Sequence, residues 1–412
     1  SLFAKDFMTQ FLNHYISLIK LILNDIHVTI KEISLLNKDE KLEIEKTYNS
    51  SILPYDENVK LVELFENEAE KNPNNIAIRF NGSSITYEEL NKKANQIANF
   101  LISKNVKRNQ IVGILLPRTP DLLFAMLGIL KSGAGYMLID TSLPYDRISF
   151  MLENAHSNYL ITNKDSKNID GVEKLYLDEL PLENYSAQNV NAYSDNEDSF
   201  AVIYTSGSTG TPKGVELKRK GVINMLSNYK AFLYTDTCTN FLSMSSVAFD
   251  MFIVENFVPL LSGKTVILTN EEEQKIPLYT NTLIEQEHVN FILTTPSRMD
   301  LLLSVGSNWN TIKVIQLGGE VFPSNLYDKI KAQTSNAHIF NGYGPSEITA
   351  CCTSKEVYNS NDITIGKPFA NTQLWICNKD LNICPIGVEG EICVAGLGVA
   401  AEEIYTDFDK KI

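Results

Sequence analysis

Between about residue 60 and residue 360, short runs of continuous apolar residues alternate with segments whose apolar positions recur every three or four residues. The runs at 75–80, 111–116, 136–140, 200–205, 241–245, 264–269, 291–295, 312–317 and 338–341 predict strands, with a turn at Asn81-Gly82. Helical spacing predicts helices over 87–101, 121–131, 147–154 and 222–232. Alternating elements whose strands are apolar throughout predict parallel sheets covered on both faces, an α/β architecture of two doubly wound units. The flanks read differently. Phe3, Phe7, Phe11, Leu12, Ile16, Ile19 and Ile22 define one amphipathic helix, followed by Val28-Thr29-Ile30 and a charged stretch from Lys38 to Lys46. This pattern fits a helix with an inter-domain linker and fits equally a first helix of the same domain. Past Thr364 the strand-like segments 364–365, 373–377 and 391–395 follow one another without helices, predicting a small β-rich subdomain, a distorted barrel. The expected partition is therefore 1–52, 53–360 and 361–412.

With 412 residues, the chain has room for two or three packing units at roughly 150 residues each. A net charge of −14 argues against a nucleic-acid binder, because phosphate backbones require clustered cations. No apolar stretch of about 18 residues or more predicts a membrane span, and the N-terminus does not read as a signal peptide. The six cysteines contain no CxxC, so reduced thiols and a cytoplasmic location are the expectation.

The strand at 200–205 runs into Thr205-Ser206-Gly207-Ser208-Thr209-Gly210-Thr211-Pro212-Lys213-Gly214. Glycines permit close backbone approach, so several N–H groups can point at one anion, while the hydroxyls add donors and Lys213 adds charge. The composition is that of a phosphate-cradling loop without Walker A spacing. A flexible linker would not start at the end of a buried strand. Gly396-Leu-Gly-Val-Ala-Ala401 mimics a dinucleotide fingerprint, but too little chain follows for the roughly 30-residue unit that fingerprint needs.

Tyr204 to Gly214 resembles the signature loop of adenylate-forming enzymes, more narrowly that of nonribosomal peptide synthetase adenylation domains. Ile85-Thr-Tyr-Glu-Glu-Leu90, Leu130 to Asp140, Phe249-Asp250, Asn341-Gly-Tyr-Gly-Pro-Ser-Glu347 and Gly390 to Gly396 match further family motifs in order, over about residues 53–400. The N-terminal helix and Glu32-Ile-Ser-Leu-Leu36 resemble the tail of a condensation domain and its connector. The resemblance implies an ATP- and Mg²⁺-dependent amino acid ligase of secondary metabolism. Its partners would be an amino-acid substrate, a peptidyl carrier protein, the condensation domain of the same assembly line and a small helper protein.

By the same resemblance, Thr205, Ser206, Gly207, Ser208, Thr209, Gly210, Lys213, Gly319, Glu320, Asn341, Gly342, Tyr343, Gly344 and Ser346 would bind ATP. Tyr343 is an aromatic plate with room beside it for a purine, Asn341 offers donor and acceptor to the ring edge, and Glu347 would hold Mg²⁺. Asp250, costly among apolar neighbours unless satisfied, would pair with the amino acid's α-ammonium; the alternative is a helix N-cap. The side-chain pocket carried over by motif position is Asp250, Met251, Val254, Leu293, Gln316, Gly318, Gly342, Ala350 and Cys351. Its one neutral polar side chain predicts an apolar or weakly polar substrate, and its glycines predict room for a bulky group.

The implied reaction is attack of a carboxylate on the α-phosphorus of MgATP, giving an acyl-adenylate and pyrophosphate, then transfer to a phosphopantetheine thiol. An aryl-acid or acyl-CoA ligase, which would not need Asp250, and a non-catalytic docking module are the alternatives. The family's ribose-binding Asp has no clear counterpart, Asp407 being the candidate. The hinge and small C-terminal lid, with the family's catalytic lysine, lie beyond the sequence, so an isolated core that binds but turns over slowly is expected.

Overall fold

The computed structural model describes residues 5–29, 33–165, 169–190, 194–206, 212–306 and 308–401. These residues fall into two compact bodies, one comprising 1–53 with 367–396 and the other 54–366 with 397–412.

The larger body holds two sheets. Its strands in chain order are β1 Ile76–Phe80, β2 Ser83–Thr86, β3 Ile111–Leu115, β4 Gly135–Leu138, β5 Tyr159–Thr162, β6 Glu173–Tyr176 and β7 Ser199–Ser206. They continue as β8 Pro212–Lys218, β9 Asn240–Ser243, β10 Thr265–Leu268, β11 Phe291–Thr294, β12 Val314–Leu317, β13 His338–Tyr343 and β14 Thr353–Glu356. One sheet has the order β6-β5-β3-β4-β7-β8, the other β14-β13-β12-β11-β9-β10-β1-β2 within this body. Both are parallel inside and antiparallel only at edges, where β7 pairs β8, β1 pairs β2 and β13 pairs β14. The interior strands β3, β4, β11 and β12 are buried at every position, as expected for strands covered on both faces.

Two differences from the sequence reading have physical causes. Residues 212–218 form β8, with Thr205 opposite Lys213 and Ser206 opposite Pro212, so the flanks of the Gly-rich segment are a strand pair. Short edge strands such as β2 and β6 carry exposed polar residues and escape an apolar-run criterion.

The helix Met251–Leu260 is apolar nearly all round because it is covered by strands and aromatic rings. Its Phe257 stacks on Tyr136 of β4 at 6.4 Å between ring centroids and meets Phe200 of β7 edge-on at 4.9 Å. These contacts tie a helix that follows one sheet to strands of the other. Phe257→Leu is expected to cost about 2 kcal/mol of stability, combining lost packing with lost ring geometry. Urea unfolding monitored by circular dichroism measures it, and a change below about 0.5 kcal/mol would show that the rings do not couple the sheets.

In the smaller body, the predicted amphipathic helix spans Lys5–Asn24. Its Gln10 and His14 both engage Glu40 Oε1, at 2.9 and 2.7 Å. Asn49 donates to Leu374 O at 3.0 Å and accepts from Leu374 N at 2.7 Å, stitching the N-terminal stretch to the β region. The expected barrel does not close: among the described residues Thr372–Cys377 and Glu391–Gly396 form a two-stranded antiparallel ribbon. Two strands have too little surface to wrap into a barrel. Residues 364–365 are not strand; Lys367–Pro368 is. No helix among the described residues is long and apolar enough to cross a membrane.

Candidate functional site

Chain order in the larger sheet reverses at β9: the chain moves to β10 on one side and returns to β11 on the other. β9 and β11 pair at Phe241–Phe291, near their amino ends. Beyond that pair lies the crevice where open α/β sheets receive ligands.

A cavity opens at this switch point, lined by Asp250, Met251 and Val254 after β9, Leu293 on β11, Gln316, Gly318 and Gly319 at β12, and Gly342, Gly344, Ala350 and Cys351 around β13. It encloses about 360 Å³ of atom-free space, its open mouth included. All nine residues assigned to the substrate pocket from the sequence are here, together with Tyr229, which the sequence reading did not single out. Tyr229 sits at a buried position of the helix Arg219–Phe232, where nothing but core periodicity marks it.

Asp250 precedes the helix Met251–Leu260 but makes no side-chain capping bond. Its Oδ2 accepts instead from Ser346 Oγ at 2.6 Å. Burial raises its carboxyl pKa against the Ser346 bond, and among the described residues no cationic side chain lines the cavity with it. Lys213 Nζ lies 3.3 Å from Glu347 Oε1, which brings the proposed phosphate cation and the proposed metal carboxylate together. Glu347 is held from behind, its carbonyl accepting from Ala400 N at 2.8 Å.

Other expected positions are engaged differently. Asn341 is buried and its Nδ2 donates to Thr364 O at 2.9 Å, so one of its two amide hydrogens is already engaged. Glu320 accepts from Ser297 N at 3.0 Å and Ser297 Oγ at 2.5 Å at the start of the helix Pro296–Ser304. The Ser297 bonds keep its carboxyl below the ordinary range. Tyr343 ends β13, half-buried, opposite Thr353. Thr205 is the penultimate residue of β7, its hydroxyl donating to Lys213 O at 3.5 Å. Gly207, Ser208, Thr209, Gly210 and Asp407 lie outside the described residues, as does the side chain of Ser206.

The expected room beside the glycines is largely filled by protein. A Cβ on Gly342 would stand 2.6 Å from Gln316 Nε2, and one on Gly344 would stand 2.6 Å from Cys351 Cα. Thr349 and Ala350 occupy the left-handed region in succession, at φ 60° and 69°. Such conformations in residues with a Cβ are costly and gather at ligand sites. Burial pushes the Cys351 and Cys352 thiols up, Cys352 to about 12, so neither is poised as a nucleophile.

A buried network supports the Asp250 segment, and sequence reading missed it although a charged residue in an all-apolar helix was a signal. Arg118, after β3, donates to Thr269 O at 2.9 Å, Ser245 O at 2.7 Å and Ser243 O at 2.6 Å. Glu255 accepts from Met244 N at 3.0 Å and from Ser245 Oγ at 2.7 Å. Both residues thus grip the chain leaving β9 five residues before Asp250.

The family of AMP-binding enzymes matches residues 65–402. The chain belongs to that family. Relatives include gramicidin S synthase 2 of Brevibacillus brevis, 34% identical over 404 residues, and tyrocidine synthase 3 of Brevibacillus parabrevis, 33% identical over 409 residues. Each alignment covers 97% of this chain but only 9% and 6% of those much longer proteins. The nonribosomal peptide synthetase FmoA3, solved with α-methyl-L-serine-AMP bound, superposes with a TM-score of 0.89 at 25% identity, over 98% of this chain and 47% of that one. The fold is that of a nonribosomal peptide synthetase adenylation core, as the sequence motifs implied.

Proposed function

We propose that this chain activates an amino acid. It binds MgATP and the amino acid, a carboxylate oxygen attacks the α-phosphorus, the bond to the β-phosphate breaks, and pyrophosphate leaves. The aminoacyl-adenylate then loads the phosphopantetheine thiol of a carrier protein, next to a condensation domain and with a small helper protein, in nonribosomal peptide synthesis. The observation that carries this reading is the cavity at the switch point, in which one carboxylate, Asp250, stands among neutral side chains beside the Lys213–Glu347 pair. A carboxylate held there without a cation is suited to an ammonium. An aryl or acyl substrate would leave it uncompensated.

In this reading the residues position and neutralise rather than react. Lys213 receives phosphate oxygens, the Thr205 and Ser346 hydroxyls turn to them from Lys213 O and Asp250, and Tyr343 offers its ring to the adenine. Mg²⁺ fits the donor set: it needs only one or two carboxylates with substrate phosphates, and Glu347 supplies one. Bound there it would neutralise charge on the phosphates. The relatives named gramicidin S and tyrocidine synthases, and FmoA3 with its aminoacyl-AMP, support the same reaction.

A thermal-shift screen of the common amino acids with MgATP, followed by calorimetry, tests the proposal. A subset of amino acids is expected to raise the unfolding midpoint beyond MgATP alone. Binding of MgATP without any amino acid would point to an acid lacking an amine. Binding of neither would favour a docking module.

A further inference from the structure

We propose that the amino acid taken by this site carries a neutral side chain ending in a hydrogen-bond donor, a hydroxyl or a carboxamide, received by Gln316 Oε1. The inference rests on the reading of the cavity as an amino-acid pocket and narrows it.

Gln316 is central in β12 and 1% exposed, yet its side chain lines the cavity. Its Nε2 donates to Cys351 Sγ at 3.6 Å, and the side chain also bonds the Tyr229 hydroxyl. Its Oε1 is buried with no hydrogen-bond partner among the described residues, so both of those bonds are made by the amide nitrogen. The glycine at 342 is what lets the amide lie there, since any Cβ would collide with Nε2.

A buried acceptor left without a donor is destabilising, and native interiors rarely tolerate one. The neighbouring lining side chains cannot relieve it. Met251, Val254, Leu293 and Ala350 have no donor, the Cys351 thiol already donates to Thr353 O at 3.1 Å, and the Tyr229 hydroxyl meets the amide nitrogen, not Oε1. A ligand entering the cavity can. A cationic side chain would also donate, but the one carboxylate in the lining is Asp250, already matched to the α-ammonium, so the second charge would be buried unpaired. An acidic side chain would bring a further acceptor against Oε1. A neutral donor remains.

A pocket that hydrogen-bonds its ligand discriminates strongly against the isostere lacking that group. The expected margin is roughly 10- to 100-fold in affinity, given the cost of an unmet buried acceptor. The test is calorimetric affinity of this chain, in the presence of MgATP, for matched pairs: serine against alanine, threonine against valine, asparagine against leucine, tyrosine against phenylalanine. In the pair whose size fits, the donor-bearing member should bind at least tenfold tighter, and Gln316→Leu should collapse or invert that ratio. Equal or tighter binding of the apolar member overturns this inference and leaves amino-acid activation standing. Binding of no amino acid at all overturns the activation reading and this inference with it. If Gln316→Leu does not fold, the matched pairs on the unaltered chain decide alone.

Discussion

Asp250→Ala is expected to weaken amino-acid binding by roughly a hundred- to several-thousand-fold while binding of MgATP alone persists. The estimate comes from the roughly 3–5 kcal/mol lost when one partner of a buried ion pair is removed and the other charge is left uncompensated. Asp250→Asn keeps the shape and a carbonyl acceptor but not the charge, and should fall between the two. The pH dependence has a defined sign. Burial raises the carboxyl's pKa, so amino-acid affinity should drop as pH falls through that raised value, where protonation removes the countercharge. Isothermal titration of the variant against the best amino acid from the screen measures both effects. An affinity within about threefold of the unaltered chain would remove Asp250 from substrate binding.

Arg118→Met should destabilise the larger body by about 3–5 kcal/mol, since it strips donors from Thr269 O, Ser245 O and Ser243 O inside the protein. Glu255 adds a pH signature. Burial pushes its carboxyl from 4.5 to about 7, against the Ser245 hydrogen bond and the Arg118 charge. The folded chain then binds this proton more tightly than the unfolded chain does. The stabilisation is complete below about 4.5 and is lost as pH rises to about 7, a window corresponding to roughly 3 kcal/mol. Urea unfolding across that range should show the fall, and Glu255→Gln should flatten it. A variant as pH-dependent as the original would assign the slope to other groups. Arg118→Lys should recover only part of the loss, because an ammonium cannot span the three carbonyls that the guanidinium fork reaches.

The strands that build the parallel interiors could be read from sequence because each is largely apolar. The helix at 222–232 could be read because its apolar positions recur at helical spacing, and that at 121–131 because its apolar run is too long for a strand. The pocket lining was legible only through motif resemblance. No periodicity places Asp250, Leu293, Gln316 and Cys351 together; that follows from the reversal of strand order at β9, which depends on pairings far apart in the chain. Arg118 and Tyr229 were missed for related reasons. A buried arginine is indistinguishable from a surface one until its carbonyl partners converge, and Tyr229 reads as one more core residue of its helix. The engagement of Asn341 by Thr364 and of Glu320 by Ser297 was likewise invisible, because hydrogen bonds to the backbone leave no trace in residue spacing.

The close approach of chain at Gly342 and Gly344 limits how selectivity can evolve in this scaffold. A Cβ at Gly344 would meet the Cys351 backbone, so that position offers no route to a smaller ligand space, while a Cβ at Gly342 would meet the end of the Gln316 side chain and so depends on what stands at 316. On the proposed reading of the cavity, change of substrate preference is channelled into Met251, Leu293, Gln316 and Cys351, whose side chains can shrink or trade polarity while the backbone stays put. Laboratory libraries aimed at those four and sparing both glycines should keep a far larger folded fraction than libraries that randomise the whole lining.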